Sequence, residues 1–267
     1  MKQITIRIYG PLNDFLPPRD RQACRTYPFE GRASVKDLIE RLGVPHPEID
    51  LILVNGTPVP FDYLPQDADR VSVFPRFHAL DLDGVTLVRP PPLAAGQAGV
   101  GPGAPEAMAV RFVADGHLGK LARRLRLLGL DTAYRADADD DELARIAARE
   151  GRILLTRDRE LLKRNLITHG AFVRQTLPRA QLLEVLRRFG PLPLAPFSRC
   201  LRCNGGLRPV PKADVEARLA PRTRRYYNEF RECPGCGRLY WKGSHWTRLA
   251  EIADAVLKDA GEPGPPA

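Results

Sequence analysis

The fold is decided by RFVADGHLGKLARRLRLLGLDTAYRADADDDELARIAAREGRILLTRDRELL, which spans residues 111–162. Short apolar runs such as RFVA and RILLT alternate with segments in which leucine and alanine recur at helical spacing. The same alternation continues to Phe189, and strands separated by helices are typical of a parallel sheet. The sequence therefore predicts a three-layer α/β domain with a parallel sheet over residues 108–190.

Aspartates occupy the junctions between these predicted strands and helices. Asp115 follows the first strand, four acids at 139–142 open a helix after the second, and Asp158 follows the third. Because the carboxyl ends of parallel strands meet at one edge of a sheet, we expect these acids to converge there. Oxygen ligands favour Mg²⁺ or Mn²⁺. The residues therefore predict a site for one of these cations.

Each of these acids also fits a structural role. An aspartate at an N-cap accepts hydrogen bonds from free backbone amides, and acids in a first helical turn are stabilised by the helix dipole. His117, beside Asp115, is interpreted either as an assistant in catalysis or as an exposed capping residue. The residues alone leave both interpretations open, although three such junctions in one basic domain favour a metal site.

The segment resembles the Mut-seven C-terminal family of PIN-like ribonuclease domains. The family signature falls on DGHLGKL at 115–121, on the two aspartates at 139–140 and on TRD at 156–158. The resemblance implies that Asp115, Asp140 and Asp158 are catalytic and bind Mg²⁺ or Mn²⁺, with Asp139 and Asp141 flanking the middle acid. It implies a metal-dependent ribonuclease that hydrolyses RNA phosphodiester bonds with a metal-activated water.

A second function stays open beside that one. Many PIN domains carry a later fourth acid, and the sequence shows no convincing counterpart after Asp158. The alternative is a non-catalytic RNA-binding or adaptor protein that keeps the PIN-like fold and a zinc ribbon. Both functions make RNA the expected partner.

Positive charge is concentrated beyond residue 108. Residues 108–190 carry 17 basic and 11 acidic side chains and residues 191–267 carry 13 and 8, whereas residues 1–88 have a net charge of −2 in a chain of +9. Such an excess suits an anionic partner such as RNA. The candidate phosphate-binding residues lie beside the acids: Lys120, Arg123, Arg124, Arg126 and Arg157. A solvated helix face is the alternative for any one cluster.

Two Cys-x-x-Cys knuckles form the most specific motif of the chain. Cys200 and Cys203 precede Cys233 and Cys236, and glycine follows each pair. This spacing is typical of a tetrahedral zinc ribbon, in which four thiolates leave the Zn²⁺ no open position and make it structural. An expected reducing cytoplasm disfavours the alternative of disulfides. We expect a zinc ribbon with a C-terminal helix over residues 191–260.

Aromatic residues accompany these knuckles. Tyr226 and Tyr227 lie among arginines, and Tyr240 and Trp241 follow the second pair of cysteines. Rings beside cations can stack on RNA bases. Tyr240 and Trp241 can equally cover the small core of a zinc module, and the sequence does not separate these two roles.

The first 88 residues follow a different pattern. Isoleucines at 4, 6 and 8 predict a strand, Ser34 suits an N-cap, and LILVNG at 51–56 predicts a strand that enters a tight turn. The order of strands around one helix is that of a β-grasp domain. LILVNGTPVPFDYLPQDADRVSVFP, at 51–75, resembles ubiquitin-like domains related to sulfur-carrier proteins. Without a free Gly-Gly end, carrier chemistry is disfavoured, and the resemblance favours a binding or regulatory module with a protein partner.

Composition sets the remaining expectations. The 267 residues are 43% hydrophobic and 27% charged, which is typical of a folded protein, and no apolar run is long enough to span a membrane. The N-terminus lacks the apolar core of a secretory signal, so we expect a cytoplasmic protein. Five prolines and four glycines predict a flexible linker over 89–107, and GEPGPPA at 261–267 predicts a disordered tail. Cys24 is expected to be a small buried residue.

Overall fold

The computed structural model describes residues 1–76 and 110–243, with residues 88, 247, 250, 251 and 258. The predicted linker, the predicted tail and most of the predicted C-terminal helix lie outside the described residues. The chain forms two compact units, and each of them is discontinuous in sequence. Met1–Pro92 and Asp139–Phe172 form the first unit, and Leu93–Ala138 and Val173–Ala267 form the second. The domain boundaries drawn from the sequence stay predictions.

The first 76 residues of the first unit build a mixed sheet around one helix. The elements are β1 (Lys2–Ile8), β2 (Cys24–Phe29), α1 (Val35–Arg41), β3 (Ile49–Val54), β4 (Thr57–Pro58) and β5 (Arg70–Pro75), with 3₁₀ helices at Gly10–Phe15, Pro18–Asp20 and His46–Glu48. The strands are ordered β2-β1-β5-β3-β4, with β1 and β5 parallel and the other neighbours antiparallel. This is the β-grasp arrangement that the sequence predicts.

Local sequence explains why these elements form. Ile4, Ile6 and Ile8 alternate along β1 and are all buried in the core beneath α1. Helix α1 begins after Ser34, whose hydroxyl accepts the Asp37 amide hydrogen while the Asp37 carboxylate accepts that of Ser34 at 3.0 Å. This reciprocal capping box satisfies two amides that would otherwise lack partners.

The tight turn predicted after β3 is present. Asn55 and Gly56 adopt positive φ angles of 52° and 85°, a conformation that these two residue types tolerate best. The turn leads into β4, which has only two residues. Two residues are too few for a period to show, and so β4 was not predicted.

The same unit contains part of the predicted α/β domain. Its elements are α3 (Asp140–Glu150), β8 (Ile153–Thr156), α4 (Arg159–Leu162) and β9 (Gly170–Phe172). Strands β8 and β9 are parallel, and all four residues of β8 are buried. A short strand that is buried along its whole length is expected where helices cover both faces of a parallel sheet.

The second unit contains the other part of that domain. Its elements are β6 (Phe112–Ala114), a 3₁₀ turn (Gly116–Leu118), α2 (Gly119–Leu127), β7 (Thr132–Tyr134) and α5 (Pro178–Phe189). Strands β6 and β7 are parallel, and α2 buries Leu121, Ala122 and Leu125. Parallel strands that alternate with helices confirm the predicted α/β class.

The cysteine-rich module completes the second unit. Its antiparallel sheet has the order β10-β11-β12, and its core is small: Val215, Leu219 and Phe230 are the buried residues, with Trp241 packed against them. So small a core needs a further source of stability such as a metal. The elements are β10 (Arg208–Val210), α6 (Lys212–Val215), a 3₁₀ turn (Glu216–Arg218), α7 (Pro221–Tyr226), β11 (Phe230–Glu232) and β12 (Leu239–Trp241).

Two further predictions can be compared directly with the structure, namely the burial of Cys24 and the expectation that no segment spans a membrane. Cys24 is exposed at the start of β2, so the prediction that it is buried is wrong. It begins a strand whose residues are mostly exposed, and composition does not reveal this. None of the helices formed by the described residues is long and apolar enough to cross a bilayer.

Candidate functional site

The four knuckle cysteines form one cluster. Their sulfur atoms all lie within 4.8 Å of one another, with 3.6 Å between Cys200 and Cys236 and 3.3 Å between Cys203 and Cys233. Thiolates at about 2.3 Å from a tetrahedral zinc ion lie about 3.8 Å apart. The cluster therefore has the donor set and the spacing that can hold a metal ion such as zinc.

Hydrogen bonds prepare Cys200 to act as a thiolate. Burial opposes ionisation, but the Tyr240 hydroxyl and the amides of Cys203 and Arg202 donate to its sulfur and lower its pKa to about 6. Gly205 leaves room for the ligands, since a Cβ there would lie 3.0 Å from the Cys233 sulfur. The loop is thus shaped around four sulfurs, one of which ionises readily even without a metal.

Tyr240 and Trp241 are part of the cysteine-rich module. The Tyr240 hydroxyl donates to the Cys200 sulfur at 3.1 Å and accepts from the Leu201 amide at 3.0 Å. Trp241 packs against Phe230, with 6.3 Å between their ring centroids. Of the two roles left open by the sequence, these contacts support covering the module's core.

Arg126 was a candidate for binding RNA, and the structure gives it a different role. Its side chain is buried at 2% exposure. Its Nε donates to the Thr132 carbonyl at 2.9 Å, and Nη1 donates to the carbonyls of Leu201 at 3.2 Å and Arg202 at 2.7 Å. A buried guanidinium that is committed to three carbonyls does not face an RNA phosphate, so Arg126 leaves the candidate set.

Asn204 and Arg199 add to this junction, and sequence reasoning missed both. The Asn204 side chain accepts from the Thr132 amide at 3.0 Å and donates to the Asp131 carboxylate at 2.7 Å. Arg199 pairs with the same carboxylate at 3.4 Å. The signal available in the sequence was the asparagine directly after Cys203, because asparagine tolerates the left-handed backbone conformation better than most residues do. In the structure Asn204 adopts this conformation, with a φ of 70°. The first knuckle is therefore bound to the segment that connects α2 to β7.

Asp115 lies directly after β6 and caps the 3₁₀ turn that precedes α2. Its carboxylate accepts from the His117 amide at 3.3 Å. The Tyr134 hydroxyl donates to the Gly116 carbonyl at 2.9 Å, which holds the loop in place. A Cβ at residue 119 would lie 2.6 Å from the Tyr134 hydroxyl oxygen, so Gly119 is required for this close approach. The glycines of the motif thus shape the loop that presents Asp115.

The three middle aspartates differ in their surroundings. Asp139 is the N-cap of α3 and accepts from the Glu142 amide at 2.7 Å. Asp140 and Asp141 begin the helix and both pair with Arg164, at 3.5 Å in the case of Asp140. Asp139 therefore has a capping role, whereas Asp140 and Asp141 share one arginine, which offsets one of their two negative charges.

Asp158 caps α4 with a single oxygen. Its Oδ1 accepts from the amides of Glu160 at 2.7 Å and Leu161 at 3.3 Å. Its own amide donates to the Thr156 hydroxyl at 2.9 Å, which fixes the turn after β8. The second carboxylate oxygen, Oδ2, makes no hydrogen bond to any other residue in the described part of the chain. It is the atom with which Asp158 could bind a cation.

The capping interpretation is therefore realised for Asp115, Asp139 and Asp158. Asp115 belongs to the second unit and the other acids to the first. Within residues 1–76 and 110–243, the four cysteines are the one group of three or more His, Cys, Asp and Glu side chains with ligand atoms within 4.8 Å of one another. The binding of a cation by Asp115, Asp140 and Asp158 stays a prediction.

The remaining basic candidates are accessible to different extents. Lys120, Arg123 and Arg157 are exposed, whereas Arg124 is partly buried. The Nη1 atom of Arg124 is buried and has no hydrogen-bond partner among the described residues. Burial, followed by repulsion from Arg179, lowers the pKa of the Arg124 guanidinium. An anion beside Arg124 would relieve both effects.

Together the fold and the cysteine cluster define an α/β protein with a β-grasp sheet and a four-cysteine metal site. Residues 110–253 match the model of the Mut7-C RNAse domain, and residues 1–81 match that of the Mut7-C ubiquitin. The first match covers more than half of the chain, so the chain belongs to the Mut7-C RNAse domain family. This confirms the family and the domain order that the motifs indicated.

Two further comparisons concern individual proteins. No curated protein matches the chain significantly. Among solved structures, the chain is similar to the crystal structure of H. volcanii small archaeal modifier protein 1, with 15% sequence identity and a TM-score of 0.24. The likeness covers 29% of this chain and 100% of that chain.

Proposed function

We propose that this protein is a divalent-metal-dependent ribonuclease in which Asp115, Asp140 and Asp158 hold Mg²⁺ or Mn²⁺. The geometry of Asp158 carries this proposal, because capping of α4 occupies Oδ1 and leaves Oδ2 without a partner among the described residues. Asparagine and serine cap a helix as well as aspartate does, so a cap alone does not need the carboxylate. The match of residues 110–253 to an RNase domain supports the same function.

The chemistry assigns a task to each group of residues. Each acid presents a carboxylate oxygen from a helix N-terminus that follows a strand. A cation held there lowers the pKa of a bound water and balances the charge that develops on the phosphate. Lys120, Arg123 and Arg157, together with the partly buried Arg124, hold neighbouring phosphates without reading the bases. No side-chain nucleophile is required for this hydrolysis.

The four-cysteine cluster holds a structural Zn²⁺ in this proposal. All four ligand positions are filled by sulfur, so no position is left for water or substrate. The ion stabilises the module through its ligands, and Arg126 and Asn204 transmit that order to α2 and β7. The cysteines must be reduced to bind it, which fits a cytoplasmic protein.

One observation favours the second candidate function, a non-catalytic RNA-binding or adaptor protein. Arg164 pairs with both Asp140 and Asp141, so a side chain already offsets one of their two negative charges. A metal that bound at Asp140 would compete with this arginine. In the adaptor function, Arg164 stays paired with the two acids and RNA binds through the basic residues alone.

A cleavage assay separates the two functions. Purified full-length protein that retains its zinc is freed of other cations on a chelating resin and incubated with mixed RNA, with and without Mn²⁺. The nuclease proposal expects cleavage only with Mn²⁺, and its loss in Asp158→Asn. Asp137→Asn is the matched control, because Asp137 is exposed and has no proposed role. Retained RNA binding without any cleavage would establish the adaptor function.

A further inference from the structure

The β-grasp domain packs against a segment of the α/β domain within the first unit. The residues that make this contact belong to the 3₁₀ helices and α1, and they are called the docking face: Phe15, Lys36, His46, Pro47 and Glu48. The docked segment is residues 159–172, which includes α4 and β9. Lys36 marks the rim of the contact, where its ammonium lies 2.8 Å from the Asn165 side-chain oxygen.

Glu48 provides a buried anchor in this contact. Glu48 is only 3% exposed, and its carboxylate accepts a hydrogen bond of 2.6 Å from the amide of Phe172 in β9. A carboxylate loses much hydration on burial, so a buried one needs hydrogen bonds to compensate. The Phe172 amide is one of these partners, and it lies 124 residues away in sequence.

His46 forms a second buried anchor. His46 is 6% exposed, and its ring contacts both the β-grasp domain and the docked segment. Nδ1 lies 2.7 Å from the Glu40 carboxylate, and Nε2 lies 2.8 Å from the Ile167 carbonyl. Both ring nitrogens are therefore within hydrogen-bonding distance of partners, which fixes the orientation of the imidazole.

Arg159 connects the docking face to the candidate site. Its guanidinium carbon lies 5.2 Å from the ring centroid of Phe15 and 5.6 Å from that of Phe172. Its Nη1 donates to the Phe15 carbonyl at 3.2 Å. Arg159 is the first residue of α4 and directly follows Asp158. Contacts that hold Arg159 therefore also restrict the turn that presents Asp158.

We propose that the β-grasp domain is a built-in positioning element of the candidate nuclease site, with residues 159–172 of the same chain as the partner of its docking face. Arg159 and Glu48 act as positioning residues for Asp158, one at the start of α4 and one at the end of β9. The inference rests on the proposed function, because it assigns a purpose to the orientation of Asp158. A separate protein partner would have to use another face of the β-grasp domain.

The test uses full-length variants. Glu48→Ala removes the acceptor of the Phe172 amide, Glu48→Gln restores one, and Arg159→Ala removes the contact with the two rings. Glu30→Ala and Arg149→Ala are matched controls, since both residues are exposed and lie outside the docking face and the candidate site. Hydrogen exchange of peptides from residues 159–172 reports docking. The steady-state constants for RNA cleavage and the Mn²⁺-induced rise in melting temperature report the site.

We expect exchange in residues 159–172 to become at least roughly tenfold faster in Glu48→Ala and Arg159→Ala. The kcat of both variants should fall about tenfold while KM for RNA stays unchanged, since orientation rather than RNA binding is lost. Glu48→Gln should recover both values, and the controls should match the wild type. Exchange that is unchanged in both alanine variants overturns the inference, and so does faster exchange with a wild-type kcat and Mn²⁺ response.

Failure of the proposed function has a different signature. Wild-type protein would then neither cleave RNA nor melt at a higher temperature with Mn²⁺. That result removes the site that the β-grasp domain is proposed to position, and so it overturns the positioning role whatever the exchange shows. An active wild type with unaffected variants overturns the further inference and leaves the nuclease proposal standing.

Discussion

The guanidinium of Arg126 and the backbone carbonyl of Arg202 are joined by a hydrogen bond of 2.7 Å. It ties helix α2 to the loop that carries the first pair of cysteines. Burial lowers the pKa of Arg126, and the thiolates of Cys200 and Cys203 oppose that shift. The cysteine-rich module and the α/β elements of the second unit therefore share one buried, charge-assisted junction.

Replacement of this arginine should destabilise the protein. In Arg126→Ala three carbonyl groups lose their donor, so the free energy of unfolding should fall by about 2–4 kcal/mol. Arg123→Ala is the control from the same helix, and its exposed side chain should change stability by no more than about 0.5 kcal/mol. Urea denaturation of the zinc-loaded proteins measures both. Equal stability of the two variants would contradict the buried role of Arg126.

Zinc should bind once per chain at the four knuckle cysteines. Cys203→Ser should lose the ion and unfold residues 198–246, because structural zinc contributes on the order of 10 kcal/mol in small modules. Cys24→Ser, which changes an exposed cysteine outside the cluster, should keep one zinc per chain. Elemental analysis of protein purified in reductant gives the stoichiometry. Absence of zinc from the wild type would disprove the site.

Two substitutions at Asp158 separate capping from metal binding. Asparagine keeps the cap and removes a charge, so metal-free Asp158→Asn should melt at or above the wild-type temperature. Alanine removes the cap and should cost about 1 kcal/mol. Mn²⁺ should raise the melting temperature of the wild type and do so much less in either variant. An equal metal response in all three proteins would leave Asp158 as a helix cap only.

Exposed cations should control RNA affinity through salt. Each of Lys120→Ala, Arg123→Ala and Arg157→Ala should weaken RNA binding on all sequences and reduce the slope of log affinity against log salt by about 0.7. Arg145→Ala, at an exposed position of α3, should leave the slope unchanged. Fluorescence anisotropy at several salt concentrations gives the slopes. Variants with wild-type slopes would show that these side chains are only solvated surface residues.

Asp37 should make a small, pH-dependent contribution to stability. Hydrogen bonds from the Ser34 hydroxyl and amide lower the pKa of its carboxyl below the ordinary value of about 3.9. The carboxylate therefore stabilises the folded state above the unfolded pKa, and this is lost as pH falls through the lower folded pKa. Asp37→Asn should melt at a lower temperature than the wild type at pH 7. This difference in melting temperature should become smaller near pH 3. A gap that is constant with pH would contradict this.

Much of the fold is determined by the sequence acting locally. The alternation at Ile4, Ile6 and Ile8 and the helical spacing of Leu121 and Leu125 show which side of each element is buried, because burial follows the period of the backbone. The spacing of the four cysteines likewise restricts the chemistry, since a Cys-x-x-Cys loop presents two sulfurs to one ion. Each of the four clustered cysteines was thus predictable from the sequence.

Only the tertiary structure decided the roles of side chains whose partners are distant in sequence. Arg123 and Arg126 are chemically identical and three residues apart on α2, yet one is exposed and the other is buried against carbonyls of the 201–202 loop. Glu48 similarly meets an amide 124 residues away. Periodicity reports whether a position is buried, but a buried charge is stable only where remote polar groups converge on it. That convergence arises when the whole chain folds, and no local pattern contains it.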